Sequence, residues 1–230
     1  MRVVGSRRKI GRVTDSSAAT PLYPSRAAAG AVLARLMAQR CTPPITLLGV
    51  TPTGVEIAAS AARGGAGTFD VIVGAHVRLE GHGIIGALAE DGDAVIDRQF
   101  EPGFELIDPL NSAIDRARRA IKTERLLFRG QRRIRDLMEQ TVVVIDGHVT
   151  SPWKLLAAAR TATDLGASRV LVAAAAATQG VKERVFAYKY EFICPTVVLD
   201  PNGHPRPFGD PQDPSAERLR SIVVARQAAA

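Results

Sequence analysis

The sequence predicts an α/β protein, with a mostly parallel, doubly wound sheet and a small antiparallel hairpin beside it. Three observations point to this class. Short aliphatic runs alternate along the chain with Ala-rich stretches at helical spacing, the order of a βαβ protein. Thr141-Val-Val-Val-Ile145 is five β-branched residues in succession, suited to a strand covered on both faces. Asp91-Gly92 separates two apolar runs, Ile84–Ala89 and Ala94–Ile96, which is a hairpin signal.

The chain divides into three parts. Residues 1–22 form a basic arm, with Arg2, Arg7, Arg8, Lys9 and Arg12 among Ser, Thr and Pro. Residues 23–200 form the α/β domain. Residues 201–230 are a Pro/Gly-rich loop followed by a helix over 215–226.

Within the domain, Val32, Leu33, Leu36 and Met37 give one apolar stripe, which predicts a helix over 24–40 stopped by Pro43-Pro44. Ile45–Val50 is a short buried strand, Thr51-Pro-Thr-Gly54 a turn, and Val55–Arg63 an Ala-rich helix. Phe69–Gly74 is the next strand. His76–Gly83 is polar with two glycines and reads as a mobile loop. The hairpin over 84–97 follows. Leu110, Ile114, Ala117, Ile121 and Leu126 make one side of a helix from Pro109 to Phe128, ended by Gly130, with arginines on its other side. After the strand at 141–145, Asp146-Gly147 ends it, and Thr150-Ser151 precedes a helix opening at Pro152. Gly166 caps that helix. A strand over 169–177, a short helix over 182–188 and a last strand over 195–199 complete the domain.

Composition narrows the class of partners. With 230 residues and 46% hydrophobic residues the chain can bury a core and is not disordered by composition. It has no apolar run of about 18 residues and no leader-like h-region, so a cytoplasmic protein without a membrane span is expected. Cys41 and Cys194, far apart in sequence, read as two buried thiols. The net charge of +7 favours anionic partners. Over 112–135 the cations Arg116, Arg118, Arg119, Lys122, Arg125, Arg129, Arg132, Arg133 and Arg135 concentrate that charge. They read as a solvated face, an anion or nucleic-acid patch, or a subunit interface of a homodimer. No metal-ligand spacing such as C-x-x-C or H-E-x-x-H occurs.

The stretch 141–160 carries the functional reading: strand, polar loop, helix. In open α/β folds ligands sit outside the carboxyl ends of strands, and a helix N-terminus lined with hydroxyls suits a phosphate. The candidates there are Asp146, Gly147, His148, Val149, Thr150, Ser151 and Lys154. The turn at Thr51, Thr53 and Gly54 repeats the arrangement. Thr150 and Ser151 serve equally as N-caps, His148 as a plain loop histidine, and Trp153 as a core residue or a stacking surface.

Six segments together resemble the type I phosphoribosyltransferase family, and within it a bacterial group of stand-alone members. Tyr23-Pro-Ser-Arg26 resembles that group's opening aromatic-x-x-Arg. Thr51-Pro-Thr-Gly-Val55 falls at its Gly-rich pyrophosphate turn, and residues 69–83 at its Lys-containing mobile loop. Ile85-Gly-Ala-Leu-Ala-Glu-Asp-Gly92 matches an Ile-Gly-Ala-x-Ala-Glu-x-Gly segment, and Phe128-Arg-Gly130 a Tyr-Arg-Gly. Ile145–Trp153 falls on the signature Asp-Asp-Gly-x-Ala-Thr-Gly-x-Thr, which binds the ribose and 5′-phosphate of phosphoribosyl pyrophosphate.

The resemblance implies a glycosyltransferase of nucleotide metabolism that takes a phosphorylated sugar or a nucleotide. Asp146 would be its catalytic acid on the ribose, and Mg2+ would accompany phosphoribosyl pyrophosphate. The sequence departs at named positions. Ile145 replaces the first acid, Ser151-Pro152-Trp153 replaces small residues, and Pro52-Thr53 replaces Arg-Gly. The loop Lys is absent near Gly74, and His76, Arg78, His82 and Lys154 are the cations placed to stand in for it. These departures predict weak or absent ordinary transfer. They leave a non-catalytic nucleotide or phosphosugar sensor, or a nucleic-acid-binding regulator using 112–135, as alternatives.

Overall fold

The computed structural model describes residues 19–129, 132, 134–210 and 212–227. Most of the expected basic arm, Gly130 and Arg133 lie outside the described residues. Helix α1 (Arg26–Ala38) is followed by β1 (Ile45–Gly49), α2 (Pro52–Arg63), β2 (Thr68–Val71), β3 (Gly74–Leu79), β4 (Gly83–Ala89) and β5 (Val95–Ile96). A 3-10 turn at Phe104–Leu106 leads into α3 (Ile107–Arg129). Then come β6 (Thr141–Val149), α4 (Trp153–Asp164), β7 (Arg169–Thr178), α5 (Gln179–Ala187), β8 (Glu191–Ile193), β9 (Thr196–Val198) and α6 (Ala216–Gln227).

The main sheet runs β2-β1-β6-β7-β8, with β9 also on β7, and all its described pairings are parallel. Side chains of β6 alternate between the two faces. Val143 and Ile145 join the core under α1, α2, α3 and α6; Val142, Val144 and Val149 join the core under α4 and α5. Burial on both faces explains why this strand is β-branched without a polar side. A second sheet, β3-β4-β5, is antiparallel and packs between α3 and α4 as a hood. The α/β class with its small antiparallel element is therefore as the sequence predicts.

Four elements differ from expectation. The segment expected as a loop from His76 is strand β3, which holds His76 and Arg78, while His82 lies in the β3–β4 turn. Cross-strand pairing with β4 wins over local composition: Val77 and Leu79 are buried while Arg78 and Glu80 are exposed, a period of two. Strand β6 does not end at Asp146. It continues to Val149, with His148 opposite Ala176 and Val149 opposite Ala177 of β7, so the polar loop shrinks to residues 150–152. Leu126, expected on the apolar side of α3, is exposed, and Ala113 is buried instead. Strand β8 has no counterpart among the expected elements.

The helix after β6 does end as expected. Gly166 adopts a positive φ of 85°, and the Ala167 N–H reaches the Ala162 carbonyl at 3.2 Å. Both cysteines are free; Cys41 is buried and Cys194 half-buried, with burial pushing the Cys194 thiol up to about 11. No described helix is long and apolar enough to cross a membrane.

The two strand–helix units meet at backbone distance. At Gly54, in the first turn of α2, any Cβ would overlap the Ile145 carbonyl oxygen and the Asp146 Cα. Because the clash is with backbone, it cannot be relieved by a rotamer change. Gly54→Ala is expected to lower stability by about 2 kcal/mol in urea unfolding. Gly180→Ala, in the first turn of α5 with open space around it, is expected to be neutral or slightly stabilising.

Candidate functional site

Strands β1 and β6 are neighbours, yet the helices that follow them cover opposite faces. Val55 and Ile57 of α2 lie in one core, Leu155 and Leu156 of α4 in the other. This divergence is the switch point at which open α/β sheets hold ligands. A cleft of about 540 Å³ opens there. Thr51, Thr53, Asp146, His148, Val149, Thr150, Ser151 and Lys154 line it, with His76 reaching in from the hood.

Asp146, at the floor, is buried. Its Oδ1 accepts from the Thr51 hydroxyl and from the Gly147 N–H at 2.6 Å. The Thr51 oxygen also accepts from the Gly54 N–H at 3.1 Å and so caps α2. Burial pushes the Asp146 carboxyl above the usual carboxylate range, and the Thr51 hydrogen bond, Lys154 and the Gly147 N–H pull it back. Asp146 is thus turned into the joint between α2 and β6.

His148 faces the loop after β9. Its Nε2 accepts from the His204 N–H at 3.0 Å, and His204 Nδ1 accepts from the Arg206 N–H at 3.1 Å. Burial and then His204 push the His148 imidazole below its ordinary value, consistent with a neutral acceptor. Thr150 is exposed. Neither Thr150 nor Ser151 caps α4. The N-cap is Pro152 itself, without a side-chain cap bond, and the Ser151 Oγ is buried with no hydrogen-bond partner among the described residues. Lys154 lies in the first turn of α4 and makes no ion pair among the described residues. Its charge acts on Asp146, His76 and Glu124.

The remaining candidates have other roles or positions. Gly54 and Gly147 do not line the cleft; each keeps a backbone approach open, Gly147 against the Thr53 methyl. Arg78 points to solvent, and His82 packs edge-on against Phe100 at 5.4 Å. Trp153 is core, edge-to-face with Tyr188 at 6.0 Å and beneath Arg184, so its ring is not a stacking surface for a ligand.

Sequence reasoning missed the far wall, made by a strap of residues 205–210 and 212–213 and by Arg26. Arg206, Phe208, Asp210 and Asp213 line the cleft opposite Thr53. Arg26 is buried, with Nη1 3.5 Å from Glu56 and 3.6 Å from Asp210, and its Nη2 donates to the Gln212 carbonyl. Phe208 is held under Arg26 and against Tyr23, whose N–H reaches the Pro207 carbonyl at 3.1 Å. The signal for Arg26 was its place in the aromatic-x-x-Arg segment; the Pro/Gly-rich strap carried none. On α3, Arg118 pairs with Asp115 and Arg125 with Asp91, while Arg116, Arg119 and Lys122 have no ion pair among the described residues.

A parallel sheet with a separate antiparallel hood and a cleft at the β1/β6 switch point is the α/β architecture expected from the sequence. The chain is similar to the protein TT1426 from Thermus thermophilus, at 25% identity and a TM-score of 0.73, over 88% of this chain and 98% of that one. It is also matched, at 11% identity and a TM-score of 0.45, by adenine phosphoribosyltransferase from Thermoanaerobacter pseudethanolicus, over 74% of this chain and 78% of that one. Orotate phosphoribosyltransferase from Mycobacterium tuberculosis matches at 14% identity and 0.40, over 77% and 73%. No protein-family model matches the chain.

His76 gives this site a pH signature. Its Nε2 is buried without a hydrogen-bond partner among the described residues, and burial, Lys154 and Arg78 together lower its pKa from 6.5 to about 4. With the folded-state value depressed, the unfolded chain binds the proton first. Stability is therefore lost as pH falls from about 6.5 towards about 4, and this group contributes no further loss below that. NMR of the imidazole is expected to show His76 neutral at pH 5.5. Titration near 6.5 would contradict the burial argument.

Proposed function

We propose that the switch-point cleft binds a phosphorylated sugar or nucleotide, and that ordinary phosphoribosyl transfer there is weak or absent. The observation that carries the binding reading is Lys154. It is an ammonium without an ion pair among the described residues, in the first turn of α4, beside a Ser151 hydroxyl that is buried without a partner. An anion held there gains charge, a hydroxyl donor and the positive end of a helix. The Thr53 hydroxyl and the N-terminus of α2 face the same space and suit a second phosphate group.

The doubt about turnover has a structural basis in β6. Residues that would wrap a phosphate are paired with β7 as far as Val149, and Pro152 brings no N–H. Asp146, the acid assigned to the ribose by resemblance, is engaged by Thr51 and Gly147. Among the described residues no group of three or more His, Cys, Asp and Glu side chains is placed to hold a metal. A Mg2+ ion would be held chiefly by a diphosphate ligand, with the cleft carboxylates as auxiliaries. The nucleic-acid reading has only the exposed Arg116, Arg119 and Lys122 behind it.

Thermal unfolding in the presence of phosphoribosyl pyrophosphate, nucleotides and sugar phosphates tests this reading. A ligand at about a hundred times its Kd adds roughly 2.7 kcal/mol to the folded state. Lys154→Met is expected to remove most of that ligand-induced stabilisation, read against the variant's own unliganded midpoint. The absence of stabilisation by any of these anions would refute the binding half, and brisk pyrophosphate release with a common nucleobase the other.

A further inference from the structure

The strap places a carboxylate against Thr53, one of the donors that the proposed ligand would use. Thr53, the second residue of α2, donates its hydroxyl to Asp213 Oδ1 at 3.1 Å. Arg26 Nη2 lies 3.9 Å from the same carboxylate. Three residues earlier, Asp210 Oδ2 accepts from the Arg26 N–H at 3.1 Å and pairs with Arg26 Nη1 at 3.6 Å. A negative group is thus already seated at the N-terminus of α2, close enough that Asp213 pushes the Asp146 carboxyl upward.

What holds it there is charge and hydrogen bonding, because the Asp213 side chain is 84% exposed. The strap is fixed at both ends. On one side Phe208 is buried against Tyr23; on the other, Arg218 of α6 donates to the buried Glu56 of α2, with Nε at 2.7 Å. Between these anchors a surface-exposed contact can open without disturbing the core, since exposed ion pairs are individually weak.

We propose that Asp213 is an internal counter-anion. In the unliganded protein its carboxylate occupies the donors of Thr53 and Arg26, and an incoming phosphate group displaces it. The proposal rests on the reading that the cleft takes a phosphorylated ligand. It adds that apparent affinity is set by competition with the protein's own carboxylate, and that Thr53 is a shared donor.

The test is calorimetric titration of the full chain with inorganic pyrophosphate. Wild type is compared with Asp213→Asn and with Asp115→Asn, which removes an exposed charge on α3 outside the cleft. Asp213→Asn is expected to bind roughly fivefold tighter, the factor corresponding to loss of one exposed ion pair. Asp115→Asn should bind as wild type does. Hydrogen exchange over residues 209–215 should rise when pyrophosphate is added to wild type. Equal affinity of wild type and Asp213→Asn would overturn the latch and leave the phosphate reading standing. An equal gain in Asp115→Asn, or weaker binding by Asp213→Asn, would also overturn it. No binding by any of the three would overturn both.

Discussion

The hydrogen bond between Thr51 and Asp146 is the joint on which the cleft depends. It fixes the end of β1 to β6, the same Thr51 oxygen caps α2 by accepting from the Gly54 N–H, and the missing side chain of Gly54 lets the two backbones touch. With that joint made, α2 and α4 must leave the sheet on opposite faces from adjacent strands, and a crevice opens between them. The hood and the strap then wall it. A carboxylate buried at such a joint is tolerable because hydroxyl and amide donors meet it, with Lys154 near enough to offset part of the cost.

Electrostatically the cleft is mixed. Arg26, Lys154 and Arg206 stand against Asp146, Asp210 and Asp213. Arg26 is spent on the strap and on Glu56, whereas Lys154 is not committed to a carboxylate within ion-pair distance among the described residues. The two ends of the cleft therefore differ. The α2 end is already neutralised by the protein, and the α4 end has positive charge to spare. Such an asymmetry would favour one orientation of the phosphorylated ligand proposed for the cleft.

Much of the architecture was legible because burial writes itself into local sequence. β6 is β-branched since both its faces are covered, and the Asp91-Gly92 turn marks the hood hairpin. The errors came where distant contacts outvoted local chemistry. Asp146-Gly147 reads as a strand end, but the alanines 174–177 of β7 offer a close-packing partner and the ladder runs on. β3 reads as a loop because polar residues and glycines dominate 76–83 locally, although Val77 and Leu79 alternate with Arg78 and Glu80. Eight of the candidate residues from the two loops do line one cleft, and His76 joins them from the hood. The strap was invisible because its contacts join residues as far apart as Arg26 and Asp210, and Pro/Gly-rich sequence has no periodicity to report burial.

The pairing of Tyr23 with Phe208 bears on how the molecule comes into being. Synthesis delivers the chain from its N-terminus, and domains collapse as their parts emerge. Once β9 has left the ribosome every strand of the sheet exists, and α1 can pack. The cleft still lacks its outer wall, and Arg26 has Glu56 beside it but neither Asp210 nor Asp213. A nascent chain at that stage would hold a buried-in-waiting guanidinium and an uncovered aromatic ring at Tyr23. A later segment thus satisfies an earlier one, and the cleft is completed only once Phe208, Asp210 and Asp213 have emerged.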